Sequence, residues 1–206
     1  MNQAVRPRSE RVKSVNQRGA SLIMVMIILT IVSLLGIGAI QISMMSERGA
    51  RNDRDMQLAL QSAEAALTDA ELDISNSSSL RYSVFGPVVN FQAFIDKCGT
   101  TGVTQGLCAD TVSGKPAWQD ISLNFADTTA TARTAAYGTF TNRTFQAGGA
   151  GVQPAQAPRY IIELMQDKSD LNAGANANPK YVYRVTAVGF GPRTDIQAVV
   201  QMLYRP

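Results

Sequence analysis

Residues 20–42 read ASLIMVMIILTIVSLLGIGAIQI, 23 consecutive positions without a charged side chain. As an α-helix this run is about 34 Å long, slightly more than a ~30 Å hydrocarbon layer, so it can span a membrane. A secretory signal fits less well, because its apolar core is usually about 7–15 residues and closes on a small-residue A-x-A-like site. A buried helix of a soluble domain also fits poorly, since a small core cannot cover so long an uncharged run. On the N-terminal side, residues 1–19 carry Arg6, Arg8, Arg11, Lys13 and Arg18 against the single acid Glu10. The positive-inside rule places that end in the cytoplasm and residues 43–206 outside.

The helical pattern outlasts the apolar run. No proline lies between Pro7 and Pro87, so nothing forces a break. Apolar side chains recur at Met56, Leu60, Ala63, Leu67, Ala70 and Ile74, the three- and four-residue spacing of one helix face. Asp53, Asp55, Gln57, Glu64, Asp69 and Glu71 fill the polar side. The stretch ALQSAEAALTDAELDI is rich in strong helix formers, and Ser75-Asn76-Ser77-Ser78-Ser79 ends it. The expectation is one helix from about Ala20 to Ile74. Residues 20–42 form its membrane half and 43–74 an amphipathic half, with Met56, Leu60, Ala63 and Leu67 packing on a globular domain over 75–206. Gly36, Gly38 and Gly49 are points where the helix could unwind, each costing ~1 kcal/mol relative to Ala.

Composition removes most chemistry. The chain has no histidine, which excludes histidine-based triads, Cys/His dyads and HExxH zinc sites. Two cysteines cannot build a structural zinc site alone. The acids are scattered singly and lysine is scarce outside the leader, so a serine nucleophile lacks a base. No enzyme activity, cofactor or metal is expected. The Gly-rich run at 147–151 lacks the Gly-Lys-Ser/Thr of a phosphate loop. Asp167, Asp170, Asn172, Asn176 and Asn178 in the loop 166–179 could offer oxygens to calcium, but the spacing misses the EF-hand pattern. A solvated polar loop is the expectation there.

A basic leader ending in Gly19, followed at once by an uncharged helix and an amphipathic continuation, resembles the class III signal of type IV pilins and pseudopilins. More closely, Gln17-Arg18-Gly19-Ala20-Ser21-Leu22-Ile23, Ser46-Glu47-Arg48, Asn52-Asp53-Arg54-Asp55 and residues 59–67 (ALQSAEAAL) resemble the PilX-like minor pilins of type IV pili. Tyr183–Gly189 and Gln201–Tyr204 are similar to the end of that family. The resemblance implies an α+β pilin fold, a long N-terminal helix packed on a C-terminal antiparallel sheet. It also implies cleavage between Gly19 and Ala20 by a prepilin peptidase and methylation of the new amine. In major pilins the fifth mature residue is a glutamate that neutralises the terminal amine of a neighbouring subunit. Here that position is Met24. A subunit without this glutamate fits best at the leading end of a filament, with nothing ahead of it. The implied partners are other minor pilins, the major pilin, the inner-membrane assembly platform and a tip adhesin. The implied function is a structural subunit of a tip or priming complex that starts pilus assembly and contributes to adhesion, aggregation or twitching motility. The protein would cross the inner membrane once before assembly, with its domain facing the periplasm, and stand at the extracellular pilus tip afterwards.

In the globular half, residues 75–159 are the harder part. Val84-Phe85, Val88-Val89 and Phe91–Ile95 are short apolar runs, each a strand or a helical turn. Cys98 and Cys108 enclose nine residues, and outside the cytoplasm they are expected to form a disulfide. A spacing of nine is wrong for a C-x-x-C redox pair. The last fifty residues are clearer: strands at Tyr160–Met165, Tyr181–Val188 and Ile196–Tyr204, with Gly189-Phe190-Gly191-Pro192-Arg193 as a turn. They form an antiparallel meander over 160–206.

Two other readings stand beside the minor pilin. A K-type tip pseudopilin of type II secretion shares the missing glutamate but usually carries a larger insert than about 130 residues after the helix allow. A membrane-anchored periplasmic binding module would keep residues 1–19 attached. The net charge of +3 first suggests an anionic partner. Removing the leader takes away five of 19 basic residues and one of 16 acids, leaving 14 and 15. The basic balance therefore belongs to the leader and gives nucleic-acid binding no support.

Overall fold

The computed structural model describes residues 20–86, 88–110, 115–120, 124–149, 151–167 and 180–206. The expected leader with Gly19, and most of the calcium-candidate loop with Asp170, Asn172, Asn176 and Asn178, lie outside the described residues. The chain divides into two compact units, 1–50 and 51–206. In the first, α1 begins at Ala20 and continues as one α-helix to Ser75 in the second. Gly36, Gly38 and Gly49 stay helical. The helix stops where Asn76 turns the chain: its N–H makes the last helical bond to Leu72 O at 2.9 Å, and its side chain accepts from Ser78 N–H at 2.9 Å. A short side chain that bonds its own backbone competes with another helical turn.

The second unit holds a five-stranded sheet. Its strands are β1 (Leu107–Cys108), β2 (Ala135–Ala136), β3 (Arg159–Gln166), β4 (Tyr181–Phe190) and β5 (Gln197–Tyr204). The order is β1-β3-β4-β5, and β2 also pairs with β3. The expected meander is the antiparallel run β3-β4-β5, in register through Glu163 opposite Arg184 and Val185 opposite Met202. The two short strands were not legible as strands; β1 pairs parallel with β3 and β2 antiparallel. The apolar runs of 84–95 resolve into a helical turn α2 (Tyr82–Phe85) and a 3-10 turn at Phe91–Ala93.

One face of the sheet packs on α1. Tyr160, Ile162, Leu164, Tyr183, Val185 and Ala187 share a core with Ala66, Ala70 and Ile74, a two-layer arrangement of helix on sheet. Phe85 and Phe94 cap it with edge and stacked contacts to Tyr183 at 5.4 and 6.1 Å. Behind β3, Ile161 is buried against Cys98, Cys108 and Ala117, with Trp118 and Phe125 at the margin. The cysteines are joined as a disulfide.

The helix seam differs from the expected one. Ala59, Ala63, Ala66 and Ala70 are fully buried, whereas Met56 and Leu60 remain 46% and 41% exposed. Ala63 keeps its expected place, and Leu67 packs at the margin of the core. The cause is Gly189. A Cβ there would stand 2.2 Å from Ala59 O and from Ala63 N, so β4 lies directly on the helix backbone at Ala59 and Ala63, where a large side chain would not fit. Gly189 is thus a strand residue inside β4, not part of the turn, which begins at Gly191. Asp69, placed on the polar side by its sequence pattern, is fully buried as well.

Candidate assembly site

The first unit offers one kind of surface. From Leu22 to Met45 the large apolar side chains of α1 are exposed, and no acidic or basic residue occurs among 20–46. Two of its hydroxyls are satisfied within the helix: Thr30 Oγ1 donates to Ile27 O at 2.8 Å and Ser33 Oγ to Leu29 O at 2.7 Å. A surface so apolar can enter hydrocarbon or a bed of other apolar helices. Among the described residues it is one helix long and apolar enough to cross a membrane. Met24 is exposed on this surface. Ala20 is the first residue of α1, while the Gly19 side of the proposed junction is not described.

In the second unit a polar joint clamps α1 to the domain. Asp73 Oδ2 accepts from Arg81 Nε at 2.7 Å, from Arg81 Nη2 and from Tyr160 OH at 3.0 Å. Its Oδ1 accepts from Ser79 Oγ at 2.8 Å. Arg81 is wholly buried; its Nη1 donates to Gln105 O at 2.7 Å, and its guanidinium lies 3.7 Å from the centre of the Phe140 ring. Buried charges persist only when so completely paired. Burial, reinforced by the Asp73 carboxylate, pushes the Tyr160 phenol well above its ordinary range. The ring therefore stays a neutral donor.

One turn earlier, Asp69 accepts from Gly138 N–H at 2.8 Å and Thr141 Oγ1 at 2.5 Å, with Arg143 Nη1 3.7 Å away. Burial outweighs these contacts and raises its carboxyl above the usual 3.8. On the far side of the sheet, Glu163 is gripped by Arg184 through two bonds of 2.8 Å and accepts from Ala117 N–H at 2.7 Å. That hydrogen bond and charge hold the Arg184 guanidinium firmly protonated. Arg159 donates to Thr134 Oγ1 at 2.5 Å and to its carbonyl at 2.6 Å.

The arrangement is structural in kind. Each buried acid faces a cation or backbone N–H donors, and no group of three acids, cysteines or histidines that could hold a metal occurs among the described residues. The structure brings Cys98 to Cys108 and sets Ala63 in the helix seam, with Leu67 beside it; it does not bring Met56 or Leu60 into that contact. Sequence reasoning missed Asp69, Asp73, Arg81, Glu163 and Arg184. A signal existed for two of them: Asp69 and Asp73 are four apart on the face of Ala59, Ala66 and Ala70. For Asp73 the partners lie 6 to 87 positions away in the chain, beyond any helix-face pattern.

Residues 104–206 match the family model described as type IV pilus assembly protein PilX, C-terminal part, and residues 18–68 match that described as PilX N-terminal. No curated protein and no solved structure matches the chain.

Proposed function

The chain belongs to the PilX family of type IV pilus minor pilins, and from this we propose that it acts at the leading end of a pilus, in the complex that primes assembly. The family's part in the pilus is structural. The reading is carried by one observation: the exposed apolar helix has Met24 where a filament-interior pilin has an acid, and no other acid lies among 20–46.

The mechanism follows from the solvation of that helix. The basic leader holds the precursor with its N-terminus in the cytoplasm until cleavage between Gly19 and Ala20. The cut creates an α-amine at the head of an apolar helix. In the membrane that amine reaches the polar interface; inside a filament it needs a carboxylate from the following subunit, because an unpaired buried charge is costly. This chain can donate its amine to a following subunit's acid but has no acid of its own to offer one ahead. It therefore fits the front position, from which its domain meets other minor pilins and a tip adhesin, and through which adhesion or motility would be influenced.

Three measurements test this. Sequencing the N-terminus of protein from membranes and sheared filaments should begin at a methylated Ala20, and Gly19→Ala should accumulate uncleaved precursor. A start at Met1 in every fraction overturns the processing. Met24→Glu should move the subunit from the tip into the shaft or change its abundance in filaments; unchanged placement removes the argument for the front position.

A further inference from the structure

Strand β5 is the last strand of the sheet, and its outer edge has no partner among the described residues. Its eight residues, QAVVQMLY, contain neither a charge nor a proline. Edge strands are ordinarily protected by such residues, because an unpaired edge invites another strand. Here Val199 and Leu203 are instead 56% and 63% exposed.

The hydrogen-bond phase of the sheet states which groups face outward. Gly191 N–H donates to Ile196 O at 2.8 Å, and Asp167 N–H to Lys180 O at 2.8 Å. Each bond joins directly opposed residues, so both fix the same alternation along β4. Even-numbered residues of β5 turn their backbone groups to β4. Gln197, Val199, Gln201 and Leu203 turn theirs outward. The same odd-numbered side chains lie on the sheet face away from α1, because Val200 and Met202 pack on the helix-side core.

We propose that β5 is a self-pairing edge: it joins β5 of a second copy of this chain in an antiparallel pair centred on Val200. Any two-fold antiparallel pairing centred on one residue matches odd-numbered residues with odd, so all four outward residues find partners. Charge selects among the centres. Centred on Val200, Arg205 of each copy stands opposite Asp195 of the other, at both ends of the pair. Centred on Val199, Arg205 meets Arg193 of the second copy; centred on Gln201, it meets Gln197. The present partner of Asp195 is Arg193 at 3.0 Å, both side chains exposed, a surface pair that holds little energy in water and exchanges readily; Arg205, itself exposed, stands 3.4 Å from the largely buried Asp167. The pairing also covers Val199 and Leu203 on one face and extends the helix-side face of Val200 and Met202.

Cysteine cross-linking of the full-length chain in isolated membranes tests the register. Two opposed Val200 residues form a non-hydrogen-bonded pair with Cα atoms about 4.5 Å apart, within disulfide reach. Two Ala198 residues are about 13 Å apart at 3.3 Å per residue, beyond it. Mild oxidation with copper phenanthroline should therefore link Val200→Cys into a reducible dimer and leave Ala198→Cys at background. In the Val200→Cys chain, Asp195→Arg should lower the dimer yield and adding Arg205→Asp should restore it. Leu203→Lys, at an exposed position that does not touch the core, should lower it as well. The proposal is overturned if Val200→Cys yields no dimer while its Cys98–Cys108 bond is intact. It is equally overturned if Ala198→Cys links as strongly, or if Val200→Cys is captured by a different pilus subunit in place of itself.

Discussion

Gly189 of β4 and Ala63 of α1 are in backbone contact: a Cβ on the glycine would lie 2.2 Å from the Ala63 nitrogen. This contact sets how closely helix and sheet approach. It explains why alanines stand at 59 and 63, fully buried, while Met56 and Leu60 remain exposed.

Gly189→Ala should therefore push α1 off the sheet. Overpacking at a backbone contact costs typically about 1–3 kcal/mol, and Gly189→Val should cost more. Thermal unfolding of the detergent-solubilised chain reads the loss; a midpoint unchanged in both variants contradicts the close approach.

The Asp73–Arg81 pair should behave as a unit. Arg81→Met leaves a buried carboxylate with only Ser79 and Tyr160 as donors, at a cost of about 3–5 kcal/mol. Asp73→Asn leaves a buried guanidinium and should cost a similar amount. Removing both charges, as Asp73→Asn with Arg81→Met, should cost less than the sum, and a double-mutant cycle in denaturant midpoints measures the coupling.

Asp69 should make stability fall as the pH rises through the acid range. Its carboxyl is raised above 3.8 by burial, so the folded chain holds this proton more tightly than the unfolded one. That contribution is fully present below pH 3.8 and is lost as the pH climbs through the folded value. In Asp69→Asn the amide can accept from Gly138 N–H and donate to Thr141, and it does not titrate. The variant should gain stability relative to the parent as the pH climbs from below 3.8 through the raised folded value. Urea midpoints across that range check the sign.

Reducing the Cys98–Cys108 bond should destabilise the domain by a little under ~3 kcal/mol, the chain-entropy value for its 11-residue loop. Because both cysteines pack on Ile161 and Ala117, Cys98→Ala with Cys108→Ala should add a packing loss to that figure. Melting with and without reductant separates the two contributions.

Much of the fold was written in local pattern. The uncharged run of 20–42, the alanine-rich continuation and the alternation of 196–204 each specify an element through a period of 3.6 or 2, and such periods need no distant partner. The disulfide was expected from two cysteines in a domain that the positive-inside rule places outside the cytoplasm. The proposed processing junction and the position of Met24 are counted along the chain in the same way, and so is the share of basic charge carried by residues 1–19.

Tertiary structure alone decided the rest. Which stripe of α1 is buried depended on Gly189, 126 residues beyond Ala63 in the chain, because the closest backbone approach sets the seam before side-chain size can. Asp69 read as a solvent-facing acid until Gly138 and Thr141 satisfied it, and the pairing of Asp73 with Arg81 was not read at all. The strands β1 and β2, two residues each, carry no period to detect and exist because β3 offers them an edge. That the outer edge of β5 has no partner among the described residues is likewise a property of strand order, which pairing over long separations determines and no local stretch of sequence contains.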